Sequence, residues 1–330
     1  MNKIDLKRED IKHLRWELHG NNPIIHPPRF STVIADPSLL APGDSPDGKW
    51  HMFVHALFGI YQLVSDDGLH WSAPKRLFGH GMRPNIYHED GTYYLLYERY
   101  RKYHILFAMM PIRWRSRIEM RTSKDLVHFS EPVTVLEPSH EWHSSEKYGD
   151  SVSNPFLIKM NDRYVLYYSA SLVHVDDCGF NEPEYIGYAT ASNVTGPYVP
   201  SREPMIRPDP RDPWGNLGCG SIKVVPCDSG YVAFHNRMYV DSATGHSGSA
   251  ISLLESDDGF SWTRALPEPI LAPTEGWMRT HVYASDTVFR PEQRDLYFYF
   301  NARDDWHWAK GSEHIGMMIG RLQANPSGIS

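Results

Sequence analysis

One short phrase occurs four times along the chain with the same internal spacing: a serine, a turn-forming pair, and an aromatic residue six positions after the serine. It reads Ser65-Asp66-Asp67-Gly68-Leu69-His70-Trp71, then Ser123-Lys124-Asp125-Leu126-Val127-His128-Phe129, then Ser192 to Tyr198 through Asn193 and Gly196, and finally Ser256-Asp257-Asp258-Gly259-Phe260-Ser261-Trp262. The copies lie roughly 60 residues apart, a spacing that marks a supersecondary unit used repeatedly. Asp-Gly and Asn/Gly pairs supply turn geometry, and the aromatic opens a new strand. Strand-like runs precede the phrase, at 37–40 and 50–55 in the first unit and at 155–158, 164–168 and 185–190 in the third. The unit predicted is four antiparallel strands.

A second phrase follows the aromatic, as Pro204-Met205-Ile206-Arg207-Pro208 and Pro269-Ile270-Leu271-Ala272-Pro273. It also occurs near the start, where Trp16 precedes Pro23-Ile24-Ile25-His26-Pro27 by the interval that separates Trp262 from Pro269. The N-terminal segment is thus a fourth strand lacking its first three, and strand-like runs at 288–289, 296–300 and 315–322 are three lacking a fourth. The expected fold is all-β: a five-bladed β-propeller of four-stranded antiparallel blades, with the ring closed by the N-terminal strand joining the C-terminal blade.

The repeat fills residues 1–330 as a single domain, with residues 1–15 as an N-terminal extension, and no linker composition interrupts it. A net charge of −7 argues against a nucleic-acid partner, and no run of 18 apolar residues calls for a membrane. The odd count of cysteines, Cys178, Cys219 and Cys227, without metal-type spacing fits a reducing compartment, and a cytoplasmic location is expected.

In a propeller the inner strand of every blade starts near the axis, so side chains from different blades converge there. The predicted starts are Asp36-Pro37, Arg83-Pro84, Asn154-Pro155, a position within 218–221, and Ser285-Asp286. A repeat kept only for packing would use similar small or apolar residues here; this polar divergence points to a site. The ends of the second strands are polar as well: His55, Glu98 to Arg101, Ser169, His235-Asn236-Arg237, and residues 301–305 with Arg303. Long loops at 139–153, with Asp150, and 274–285, with His281, open on the same face.

Ile34-Ala35-Asp36-Pro37-Ser38, the Ser-x-Asp-Gly-x-x-Trp turns, and Ile186 to Ser192 running into Gly196-Pro197-Tyr198 resemble the five-bladed propeller glycoside hydrolases of family 43 and its relatives, the arabinanase and β-xylosidase type. The resemblance implies an Asp on the first inner strand as the base that activates water, an Asp on the third blade that tunes and orients, and a Glu on the fourth that protonates the leaving oxygen. Inverting enzymes hold acid and base about 6.5–9.5 Å apart to admit a water. Asp36 matches the base. Blade three has Asn154 at the matching place with Asp150 four residues earlier, and blade four has Gly218-Cys219-Gly220 where the acid would stand. The replacement acid is sought among Glu98, Glu146, His281 and Asp304, with Glu98 favoured because it follows an apolar strand onto the pocket face.

The expected catalytic residues are therefore Asp36, Asp150 and Glu98, with Arg83, Asn154, His235, His281, Asp286 and Arg303 binding an oligosaccharide or glycoside substrate. No cofactor and no metal ligand is expected; several relatives carry a cation such as calcium on the axis, and His281 and Asp286 are the residues here that could lie near one. The expected reaction is inverting hydrolysis of terminal sugars. Two further readings stay open. Arg83, Arg237 and Arg303 would suit a phosphate nucleophile, as in the related mannoside phosphorylases, and the missing blade-four Glu would suit a propeller that binds glycans without turnover.

Overall fold

The computed structural model describes residues 7–29, 31–101 and 113–322. Among the described residues, apart from one short helix, Arg8–Lys12, and brief 3-10 turns, the regular elements are strands. They pair antiparallel in groups of four, consistent with propeller blades. Sheet I comprises Ile34–Leu40, Trp50–Ala56, Gly59–Ser65 and Lys75–Phe78. Sheet II comprises Gly81–Glu89, Thr92–Tyr100, Trp114–Ser123 and Val133–Leu136. Sheet III comprises Val152–Met160, Arg163–Ala170, Tyr185–Ala191 and Val199–Pro200. Sheet IV comprises Gly218–Cys227, Gly230–Val240, Ser247–Ser256 and Thr263–Arg264. Sheet V comprises His281–Arg290, Asp295–Arg303 and Glu313–Arg321, with Arg15–Leu18 pairing onto the last of these.

The repeated phrase is a hydrogen-bonded turn. Ser65 Oγ accepts from Gly68 N at 2.9 Å, and Asp67 Oδ1 accepts from Leu69 N and His70 N, both at 2.8 Å. Ser123 with Asp125 and Ser256 with Asp258 repeat the pattern. The residue after the Asp is left-handed, at φ +77° for Gly68, +59° for Leu126 and +79° for Gly259, which glycine adopts without a Cβ penalty. These turns dock on a neighbouring sheet: Tyr299 Oη of sheet V donates to Gly68 O at 2.8 Å, and Tyr167 Oη of sheet III donates to Gly259 O at 2.9 Å.

The second phrase is an equally regular feature. Ile206, Leu271 and Ile25 each form an isolated bridge to the third strand of a sheet, with Ile186, Ile251 and Ile315 respectively. Residues 15–25 therefore belong with sheet V, as the spacing of Trp16 and Pro23 predicts. Trp16 packs edge-on against Phe234 and Phe298, in an apolar cluster that spans sheets IV and V.

All five inner strands break register near their start: between Ala35 and Ser38, Met82 and Asn85, Ser153 and Phe156, Cys219 and Ile222, and Val282 and Ser285. A bulge re-aims one side chain and leaves the rest of the strand paired. In sheets I to III that residue precedes a proline and is left-handed: Asp36 at φ +53°, Arg83 at +55° and Asn154 at +46°. This geometry is uncommon outside glycine and costs on the order of 1 kcal/mol or more. The common arrangement in three sheets explains the recurrence of X-Pro at these places.

Candidate active site

The bulges converge on one cavity of about 130 Å³. Its floor is one tier of matching positions, Asp36, Arg83, Asn154, Ser221 and Ala284, one from each inner strand. The tier beneath is fixed by the cross-strand pairs Ser38 with Phe53, Asn85 with Leu96, Phe156 with Tyr167, Lys223 with Phe234, and Asp286 with Tyr299. Sheet V therefore contributes Ala284 to the floor. Asp286, expected in the pocket, lies one tier below, where its carboxylate accepts from Leu39 N at 2.7 Å and Thr287 N at 2.9 Å.

The walls come from second strands and loops. His55, Asn236 and Asn301 line the cavity from their second strands, and Val33, Leu57 and Met82 add apolar surface. Phe180, Tyr283 and Trp308 supply aromatic faces suited to a sugar ring. Arg303 and two carboxylates unmarked by any repeat, Glu182 and Glu313, complete the lining.

Asp36 is held as an anion. Burial would raise its carboxyl, but His55 Nδ1 stands 2.7 Å from Oδ2, and the charges of Arg83 and Lys223 add to it, so the group lies below the usual carboxylate range. Its backbone N–H donates to Asn301 Oδ1 at 3.1 Å. Glu182 has the opposite bias: burial pushes its carboxyl up to about 7, with Glu313 and Asp36 adding and Arg83 opposing. Burial also raises Glu313, against the pull of Arg303. Glu313 accepts a close hydrogen bond from Asn301 Nδ2.

Glu182 arrives by a detour. Residues 171–184, between the second and third strands of sheet III, fold back as a small hairpin of Val173–Val175 against Phe180–Glu182. This hairpin lies over sheet IV, where Cys219 N donates to Pro183 O at 3.2 Å. A Cβ on Gly218 would stand 2.6 Å from that same oxygen, so glycine is what lets the hairpin settle there. Asp177 fastens the hairpin further by accepting from Ser247 N at 2.8 Å and Ser247 Oγ at 2.6 Å. The loop 304–312 of sheet V meets it from the other side, with Trp308 N donating to Cys178 O at 3.0 Å and Trp306 Nε1 to Ser247 O at 2.9 Å.

The other residues singled out from the sequence are placed as follows. Glu98 is fully buried behind Arg83, to which it is paired at 2.8 Å while accepting from Trp114 Nε1 at 3.0 Å; it orients the arginine and does not line the cavity. Asp150 sits in a separate surface hollow with Arg99, Arg115 and His140, 3.8 Å from Arg113 Nη2. His235 is buried and held down to about 3 by that burial, with its Nε2 unpartnered among the described residues, and its neighbour Asn236 is the one in the cavity. His281 is buried against Ser247 and Thr280, at 3.1 Å from each, outside the lining. Glu146 is exposed and Asp304 accepts from Ser312 N at 2.8 Å. Arg83, Asn154 and Arg303 stand in the cavity with Asp36. Among the described residues, no group of three or more histidine, cysteine or carboxylate side chains is arranged to hold a metal ion.

The model of glycosyl hydrolases family 43 matches residues 44–266, more than half of the chain. Among solved structures the chain is similar to a glycosyl hydrolase from Bacteroides ovatus, at 15% identity over 96% of this chain and 95% of that one, with a TM-score of 0.65. It is similar to the catalytic domain of a family 62 α-L-arabinofuranosidase from Coprinopsis cinerea, at 14% identity over 94% and 98%, with a TM-score of 0.64. A structure from the family 130 mannoside phosphorylases, said to contain glycoside hydrolases that target β-1,2 mannosidic linkages in Candida mannan, matches at 15% identity over 96% and 95%, with a TM-score of 0.64. No curated protein matches the sequence. The chain belongs to glycosyl hydrolases family 43 and is a glycosidase.

Proposed function

We propose that the chain is a closed five-bladed propeller that hydrolyses terminal glycosidic bonds with inversion, with Asp36 as general base and Glu182 as general acid. The observation that carries this reading is the pair of carboxyls in one cavity with opposite bias, Asp36 below its ordinary range and Glu182 at about 7. At neutral pH Asp36 is ionised while Glu182 still holds its proton in about half of the molecules, and this separation is the division of labour that acid and base require. In this mechanism Asp36 takes a proton from water as the water attacks the anomeric carbon. Glu182 gives its proton to the departing oxygen. Arg83, whose Nη2 lies 3.3 Å from Glu182 Oε2, orients the acid.

The five-bladed ring is supported by the order in which inner strands adjoin, I to II to III to IV to V and back to I. Action on chain ends is supported by the hairpin 171–184 and the loop 304–312, which meet over sheet IV and wall that side of the cavity. Phosphorolysis is disfavoured because the cavity arginines are already engaged. Arg83 holds Glu98 and Glu182, while Arg303 donates to the carbonyls of Asp305, His307 and Trp308 at 3.0–3.1 Å. An incoming phosphate would also meet Asp36, Glu182 and Glu313.

The test is turnover of a panel of aryl furanosides and pyranosides with and without inorganic phosphate, with the anomer of the first product followed by proton NMR. Turnover in phosphate-free buffer giving the inverted anomer is the expected outcome. Retention of configuration, or turnover only with phosphate, would overturn the mechanism, and silence across the panel would favour glycan binding.

A further inference from the structure

Beneath the floor, the tier of Ser38, Asn85, Phe156, Lys223 and Asp286 knits neighbouring inner strands together. Ser38 Oγ accepts from Ile86 N at 3.0 Å, Asn85 Oδ1 accepts from Leu157 N at 2.9 Å, and Asp286 Oδ2 accepts from Leu39 N at 2.7 Å. One member of this tier is a lysine. Lys223 is only 6% exposed, with Nζ 4.9 Å from the centre of the Phe156 ring. It lines a small void directly under the cavity, and Asp36, Arg83, Asn154, Ser221 and Ala284 line that void from above.

Burying an ammonium is costly unless it is compensated. Burial lowers the Lys223 ammonium from its ordinary range, and Asp286 on the neighbouring inner strand, at the matching position, and Asp36 one tier up oppose that shift. We propose that Lys223 is a positioning residue of the active site, its ammonium the built-in counter-charge that the inner strand of sheet IV places between Asp36 and Asp286. Sheet IV gives no carboxylate to the cavity; its inner strand supplies instead a charge that adds to His55 and Arg83 in holding another sheet's carboxylate ionised.

The titratable groups facing Asp36 are His55 from the second strand of sheet I, Arg83 from sheet II, Lys223 from sheet IV, and the carboxyls Glu182 and Glu313; those facing Lys223 are Asp36 and Asp286. Removing the Lys223 charge leaves His55 and Arg83 to oppose burial alone. The Asp36 carboxyl then rises.

The decisive measurement is a carboxyl carbon-13 NMR titration of aspartate-labelled protein, with the Asp36 signal assigned by its loss in Asp36→Asn. In Lys223→Met the Asp36 midpoint is expected to rise measurably, as on loss of a nearby opposite charge, while Lys223→Arg leaves it in place. Lys223→Gln, which removes the charge but keeps a polar side chain, carries the test if the methionine variant fails to fold. An unmoved midpoint in a folded, uncharged variant overturns the proposal.

A kinetic arm rests on the reading of Asp36 as base: the acid limb of kcat/KM should rise with the NMR midpoint, with KM unchanged. If the midpoint moves in a protein that turns over no glycoside, the counter-charge stands and the hydrolytic reading fails.

Discussion

Sheets I and IV have the same scaffold and opposite chemistry. Each has an inner strand with a bulge, a second strand contributing to the cavity, and a Ser-Asp-Asp-Gly turn with nearly identical hydrogen bonds. Sheet I delivers its carboxylate directly, as Asp36 on the bulge. Sheet IV puts Ser221 at that level, after Gly218, Cys219 and Gly220, and is roofed by a hairpin from sheet III that brings Glu182. The difference teaches that a repeat conserves where a side chain can be aimed, and that an insertion can fill a place its own blade leaves empty.

The sharpest way to break this comparison is to remove the two carboxyls one at a time. Asp36→Asn and Glu182→Gln should each lower kcat by roughly 10²–10⁴-fold, the scale of acid–base groups. They should differ in leaving-group dependence. Aryl glycosides whose leaving group departs without protonation should restore much of the Glu182→Gln rate and none of the Asp36→Asn rate. Equal rescue of both variants would remove the assignment of roles.

Next in size is the hairpin's seat. A Cβ at Gly218 would stand 2.6 Å from Pro183 O, so Gly218→Ala must displace the segment that carries Glu182. A loss of about 10-fold or more in kcat is expected from misplacing a catalytic group, with the melting temperature little changed. Unaltered kinetics would mean that the hairpin's position does not matter to the acid.

The pH profile sharpens the contrast further. Glu182 loses its proton as pH rises through about 7, so the basic limb of kcat/KM should fall there and be absent in Glu182→Gln assayed with an activated leaving group. Asp36 is held below the ordinary carboxylate range, so the acid limb should lie lower than for a free aspartate. Replacing His55, the first of the groups that outweigh burial at Asp36, by Gln should move that limb upward.

The smallest effects should be equal ones. Ser65→Ala and Ser256→Ala each remove a buried hydroxyl from the same turn, and each should cost about 1 kcal/mol of stability by denaturant titration. A marked inequality would mean that the two sheets differ in scaffold as well as in chemistry.

The sequence was most legible where the repeat is reinforced by local stereochemistry. Asp36, Arg83 and Asn154 each sit before a proline on a left-handed bulge, and all three stand in the cavity. Sheets IV and V lack that proline, and there the register was open. The floor residue of sheet V is Ala284 and not Ser285 or Asp286, and in the second strand of sheet IV a one-residue alternation puts Asn236 rather than His235 in the lining. Glu98 follows an apolar strand, but it is buried behind Arg83 in an ion pair and does not line the cavity. Glu182 lies in the connection between the second and third strands of sheet III, outside the repeated phrases, so no periodicity marks it. Its one signal is the length of 171–184 between two paired strands, a length that 101–113 of sheet II nearly shares, on the face where the other polar loops gather.

The pairing of Arg15–Leu18 with Glu313–Arg321 has a consequence in time. The partners are separated by nearly the whole chain, so during synthesis the N-terminal strand waits for the arrival of its mate. At about 5–20 residues per second, that wait is on the order of 15–60 s. Throughout it Trp16 has neither Phe298 nor the rest of sheet V to cover it, and sheet I lacks the Tyr299 hydroxyl that later seals its turn. The nascent protein therefore carries an unfinished edge at each end of its repeat, and a handover to a chaperone would be needed soonest there.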